Sequence, residues 1–252
     1  MMCTTTTEEF IAYKSARGHV ITLKIPVGSR TNLGRKDVVN PNRAKFRTDK
    51  ATVLEIRNKE TGEFVVSVFS DYDQTFQYIV GEDVEPTKEY EAHPDWVCAS
   101  GIHIFLTNEA AYDYDRDVEN GLYQQWLNNG TLIVTGTTKH GHKDGEWTYY
   151  YDNGKPHTLT NWVDGKKSGL SKTWEEDGFL KSMEIYRKDR PTIGIVYKDK
   201  HSIFIEITSP DNSFVRREFR RETKLTPEDQ INHENQLLTT GDLILSSDYE
   251  PV

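Results

Sequence analysis

The chain has 252 residues, 40 Asp and Glu against 31 Lys and Arg, and a formal charge of −9. That balance disfavours a general nucleic-acid coat, which draws most of its affinity from Lys and Arg. The length allows two modest domains with their own cores, so no disulfide or metal staple is required. Cys3 and Cys98 are the only cysteines. Their spacing fits neither zinc nor redox use and favours a reducing compartment.

The N-terminus has no basic start followed by an apolar stretch of signal-peptide length, and no later segment reaches about 18 apolar residues. The expectation is a soluble protein of the cytoplasm, neither secreted nor transmembrane. Charge is unevenly spread. Residues 30–50 hold Arg30, Arg35, Lys36, Arg43, Lys45, Arg47 and Lys50 against Asp37 and Asp49, whereas residues 71–95 are strongly acidic. The basic stretch makes Arg43, Lys45, Arg47 and Lys50, with His103, an anion-binding candidate beside the plainer reading of mutually paired patches.

Residues 8–117 carry long β-type runs punctuated by Pro and Gly. Strands are predicted at 19–25, 51–57, 64–69, 75–80 and 102–106, with a short helix at 108–115 capped by Thr107, giving an α+β or mainly β domain. Cys98 and His103, with Arg47, Lys50 and Glu82, form the strongest enzyme-like constellation. Five residues across a glycine-containing turn fix no contact between a thiolate and its base, however, and a half-buried structural His is the better reading. His140, His142 and His157 lack an accompanying carboxylate or cysteine column. The sequence therefore names no catalytic residue, metal or cofactor.

From residue 120 a 24-residue period sets in. Gly121, Gly145 and Gly169 open three repeats; Trp126, Tyr150 and Trp174 take the sixth position; Gly130, Gly154 and Gly178 take the tenth. The tenth-position glycines close Asn- and Asp-rich turns that tolerate positive φ, so each repeat reads as a hairpin. Strands are predicted at 122–127, 132–138, 146–151, 156–162, 170–175 and 180–186, with remnants of a fourth repeat from Gly194. A five-residue polar connection is expected at 140–144 and again at 164–168. Strand alternation places the sixth-position aromatics on one face as a core stripe. It leaves Tyr123, Trp147, Tyr149 and Tyr151 on the other, either buried by sheet twist or offering a partner groove.

These repeats resemble the MORN family, best in the middle one: Gly145-Glu146-Trp147, Tyr149-Tyr150-Tyr151, Asp152-Asn153-Gly154-Lys155 and Trp162-Val163-Asp164-Gly165-Lys166. The resemblance covers roughly 120–198. It departs at Thr138, His140 and Asp189, as end repeats do when they cap a stack. It implies an antiparallel β-hairpin platform for protein contact, with some family members associated with membranes. Phrases of the first half, among them Ala12-Tyr13-Lys14, Arg47-Thr48-Asp49-Lys50-Ala51, Tyr78-Ile79-Val80-Gly81-Glu82 and Cys98-Ala99-Ser100-Gly101-Ile102-His103, resemble an uncharacterised domain of large DNA viruses that accompanies such repeats.

Residues 120–207 are thus expected to be the array and 208–252 a capping segment with a loose end. The cap holds a charged stretch around Arg216 to Glu222, with Val215 and Phe219 inward, and a helix beginning at Thr226-Pro227. The functional expectation is a scaffold of a large DNA virus in host cytoplasm or virion. It would bind a viral or host protein, with homo-oligomers formed through open sheet edges. The alternatives are an enzyme or nucleotide- or anion-binding first domain, and a peripheral protein holding anionic lipid along Lys155, Lys166, Lys167, Lys172 and Lys181.

Overall fold

The computed structural model describes residues 3–199, 201–208, 213–220, 224–240 and 250–251. It is mainly β, with antiparallel sheets. The chain divides into two compact units: Met1–Asp117 with Gln125–Leu132, and Val118–Gln124 with Ile133–Val252. No described helix is long and apolar enough to cross a membrane.

The first unit contains β1 (Thr4–Thr5), β2 (Phe10–Ala16), β3 (His19–Ile25), β4 (Arg30–Thr31), β5 (Lys45–Thr48), β6 (Ala51–Asn58), β7 (Ser67–Phe69), β8 (Gln77–Ile79), β9 (Asp83–Val84), β10 (Ile102–Phe105) and α1 (Asn108–Asp113). Eight strands form one sheet in the order β1-β4-β5-β10-β2-β3-β6-β9, and β7 and β8 make a separate pair. In β3, Ile21, Leu23 and Ile25 enter a core with Phe46, Val53, Ile56 and Ile104. Val20 turns the other way and packs with Phe105, Ala110 and Ala111 of α1. That second face is covered only at this end, and Thr22 and Lys24 stay half-buried, which is why β3 alternates apolar with polar residues.

The predicted strand 19–25 is β3 itself, and 51–57 gains only Asn58. The strand predicted at 64–69 begins at Ser67, because Phe64 makes only an isolated bridge to Arg57. The helix is shorter than predicted: Thr107 caps it through Ala110 N, but Tyr114 is already extended. Strands β2 and β5 escaped prediction because Lys14, Lys45 and Arg47, all buried, break the apolar alternation that identifies a strand.

The second unit is a meander of β11 (Gly121–Trp126), β12 (Leu132–Lys139), β14 (Gly145–Tyr150), β15 (Pro156–Val163), β16 (Lys166–Trp174), β17 (Leu180–Arg187), β18 (Arg190–Tyr197), β19 (Ser202–Thr208), β20 (Phe214–Arg220) and β21 (Glu250–Pro251). The short β13 (His142–Lys143) pairs with β12 off this path, and α2 (Pro227–Thr240) lies between β20 and β21 in sequence. The hairpin tip Gln125–Leu132 counts with the first unit.

The 24-residue period reappears as geometry. Gly130, Gly154 and Gly178 have φ of 83°, 79° and 96°, and each donates its N–H three residues back, to Leu127, Tyr151 and Glu175. The intervening connections are tighter than the five residues expected. Residues 140–141, 164–165 and 188–189 all have positive φ, the two-residue turn whose twist matches that of paired strands. Gly141, Gly165 and Asp189 donate to the carbonyls of Glu119, Lys143 and Lys167, so one hydrogen bond recurs between neighbouring hairpins.

Register shifts fall at Tyr149/Tyr150 and Thr173/Trp174, then at Thr160/Trp162 and Ile185/Tyr186. The shifts beside Tyr150 and Trp174 recur at the same repeat position and keep these two equivalent, but none of the three sixth-position aromatics is fully buried as a core stripe requires. Trp174 joins the core of Leu170, Leu180, Met183, Ile193, Ile195 and Ile203, Tyr150 is half-buried, and Trp126 lies under the Arg43 guanidinium within the first unit.

The tail is continuous with the array. β20 pairs with β19 in register from Ser202↔Arg220 to Thr208↔Phe214, and Leu237 of α2 enters the same core. Thr226 and Asp229 cap each other reciprocally: Asp229 N donates to Thr226 Oγ1 at 3.1 Å, and Thr226 N donates to Asp229 Oδ2 at 2.7 Å. Phe219 packs inward as expected, but Val215 is 43% exposed. Arg221, Glu222 and most of the expected loose end at 246–252 lie outside the described residues.

Candidate functional site

The basic residues of the first half do not converge on an anion. Arg47 is fully buried, and its guanidinium donates to Ser100 O at 2.7 Å, His93 O at 2.9 Å and Glu91 O at 3.0 Å while lying 5.1 Å from the Tyr90 ring centre. It pins the loop from Tyr90 to Ser100 to β5. Arg43 pairs with Asp113 at 2.7 Å and covers Trp126. Lys45 donates to Tyr114 Oη at 3.1 Å. Lys50 is half-buried and does not line the cavity that His103 lines. The sequence offers these charges as an anion site or as patches paired with acidic neighbours, whereas three of them satisfy acceptors within the unit, one of the three a carboxylate.

His103 does border a cavity, without Cys98. The cavity has a volume of about 280 Å³, and its walls include Lys14, Tyr78, Phe76, Ile102, His103 and Lys88. Cys98 is exposed and does not line it. The enzyme-like constellation weighed around Arg47, Lys50, Cys98 and His103 is therefore not assembled there, and His103 is the half-buried, hydrogen-bonded histidine that the sequence favours. The residue missed was Lys14. Its signal was present: Lys14 alternates with Ala12 and Ala16 in β2, and small side chains on a buried face leave room around a long one.

His103 Nε2 lies 2.8 Å from Val97 O and serves as the donor. Burial, then Lys45 and Lys14, push its pKa down to about 3. An unfolded histidine titrates near 6.5, so between about pH 3 and 6.5 the unfolded chain binds a proton that the folded one refuses. Stability is expected to fall as pH drops through that window. Urea midpoints measured from pH 7.5 to 4 should show a shallower acid slope in His103→Gln than in the wild type.

On the repeat sheet, the aromatic face predicted as Tyr123, Trp147, Tyr149 and Tyr151 is closed at Trp147, while the three tyrosines are half-buried. Trp147 is 3% exposed, which excludes it as a contact surface. Its indole N–H donates to Thr137 O at 2.8 Å, and Tyr123 stacks on it at 5.2 Å between ring centres. Tyr151 donates to Trp174 O at 2.7 Å. Lys143 Nζ sits 4.6 Å from the Trp147 ring, 4.8 Å from Trp162 and 5.0 Å from Tyr149, and hydrogen-bonds the Tyr149 hydroxyl. Lys167 lies 4.9 Å from Tyr186. These lysines intercalate between successive aromatic rungs, as cations do over ring faces. The sequence reading had placed Lys167 on a lipid-facing rim and passed over Lys143.

The rest of that rim is partly committed too. Lys172 pairs with Glu234 at 2.5 Å, Lys181 with Glu175 at 3.0 Å, and Lys155 donates to Asp177 O at 3.0 Å. Among the described residues no group of three or more His, Cys, Asp or Glu is placed to hold a metal ion.

Comparison with known families bears on the first unit. Residues 1–111 match the model of a family of unknown function, DUF5758. No curated protein and no solved structure matches the chain. The DUF5758 segment ends within α1, so it takes in every strand of the eight-stranded sheet and every residue named above as lining the cavity.

Proposed function

We propose that the second unit is a MORN-type hairpin array and that the protein is an interaction scaffold of a large DNA virus, working in host cytoplasm or the virion. The observation that carries the reading is the recurrence, at 24-residue spacing, of the same turn and the same inter-hairpin hydrogen bond. A sheet built this way extends by addition and presents one continuous surface, which suits contact with a viral or host protein more than turnover of a small substrate. The lipid-binding alternative is weakened by the cations that already have partners on the rim.

The contact face is the column of Tyr149, Trp162, Lys167 and Tyr186, half-buried side chains beside the buried Trp147. Tagged full-length protein purified from infected cells should retain a stable partner that a Lys167→Ala/Tyr186→Ser variant loses, with both proteins melting within a few degrees of each other. Retention of every partner by the variant, or no partner for either, would remove this face from consideration. Pairing of two copies through sheet edges predicts a mass in light scattering that rises with concentration.

A further inference from the structure

Three lysines of the first unit have their ammonium groups inside it, and they differ in what those groups touch. Lys59 Nζ donates to Ser15 Oγ and Tyr114 O, both at 2.7 Å, and Lys45 Nζ donates to Tyr114 Oη. Lys14 is only 7% exposed, yet no hydrogen bond or ion pair is formed by its Nζ among the described residues; its neighbour is the Tyr78 ring, 5.5 Å to the centre. The Nζ is not sealed in the protein: it opens onto a cavity, and the ring face beside it leaves its N–H groups free for a molecule bound there.

Lys14 and Tyr78 border the same 280 Å³ cavity. We propose that this cavity binds a small organic carboxylate, its negative group paired with Lys14 Nζ and its apolar body lying against Tyr78, Phe76 and Ile102. The proposal concerns the DUF5758 segment and is independent of the repeat array.

The charges around the cavity agree in sign and number. Burial first, then Lys45 from β5, lower the Lys14 pKa to about 8, with Asp71 opposing as the smallest contribution. Asp73, also on the wall, keeps its negative charge, held below the usual carboxylate range by hydrogen bonds from Thr75 Oγ1 at 2.6 Å and Thr75 N at 2.9 Å, with Thr87 Oγ1 at 3.2 Å. His103 is neutral and adds no competing charge. Lys88 is exposed. Lys14 and Lys88 against Asp73 leave the wall one net positive charge, which a carboxylate balances and a phosphate dianion exceeds.

Benzoate and inorganic phosphate serve as probes, each titrated into the full chain at pH 7 by calorimetry. Benzoate is expected to bind, and Lys14→Met to weaken it by about tenfold or more, the loss typical of a charge-assisted hydrogen bond. Lys88→Ala should change it by less than about threefold. Because Lys14→Met could alter folding, a second readout uses the wild type with 15N-labelled lysine side chains: benzoate should shift the Lys14 Nζ resonance and raise its pKa. Absence of benzoate binding, full binding by a folded Lys14→Met, or an unmoved Lys14 resonance would overturn the proposal. Phosphate binding more tightly than benzoate would overturn the assignment to a carboxylate.

Discussion

Replacing Arg47 with methionine is expected to destabilise the first unit by about 3–5 kcal/mol, because three carbonyl acceptors at Glu91, His93 and Ser100 lose their donor together and each buried orphan costs about 1–3 kcal/mol. Removing the guanidinium also relieves some desolvation, which keeps the total below the simple sum. The loss should be local before it is global: amide exchange should rise first from Tyr90 to Ser100, the loop the guanidinium holds. Lysine is not expected to rescue, since a single ammonium lacks the planar fork that reaches acceptors in different directions. Urea unfolding of wild type, Arg47→Met and Arg47→Lys, followed by exchange mass spectrometry, checks this. Equal midpoints would show that the loop is held by something else.

The second large effect lies in the repeat sheet. A Cβ added at Gly136 would fall 2.3 Å from Cδ2 of Trp147, so Gly136→Ala must push the indole off β12 or spread the strands. Overpacking of this kind costs about 3 kcal/mol. The displaced ring would also lose its hydrogen bond to Thr137 O and its stacking on Tyr123. A red shift in tryptophan emission and a lowered melting temperature of the second unit are the expected readouts. Because the cost arises from one pair, the double variant Gly136→Ala/Trp147→Leu should be destabilised by less than the sum of the singles. Additive effects would mean that Gly136 matters for its backbone and not for the room it leaves.

Where side-chain chemistry was local, the sequence was readable. The glycines at 130, 154 and 178 were assigned to turns because positive φ is a property of a single residue, and Thr107 and Thr226 were assigned to caps because a cap involves neighbours three residues apart. The apolar alternation of β3 needed only its own seven residues. The strand boundaries of the repeats were close for the same reason.

Two other readings failed where distant segments decide. Parity along a strand makes Trp126, Tyr150 and Trp174 a core stripe, but of the three only Trp174 joins the apolar core of the second unit while Trp126 lies under Arg43 in the first, because what covers a ring comes from distant segments. A cluster of Arg and Lys reads as a solvated patch when only its neighbours are known. Arg47 and Lys45 instead meet carbonyl and hydroxyl acceptors from residues 91–114, brought to them when β10 pairs with β5.

The sequence by itself determined the mainly β character, the hairpin period and the turn geometry, because these follow from backbone preferences and spacing within about two dozen residues. Only the tertiary structure decided which charges are spent internally and which opens onto a cavity. Arg47 and Lys14 are both basic residues on buried strand positions, and although Ala12 and Ala16 leave room around Lys14, local sequence does not say what fills that room. What separates them is the loop that folds over Arg47 and the cavity that forms beside Lys14, since the state of a buried cation depends on acceptors supplied from far along the chain.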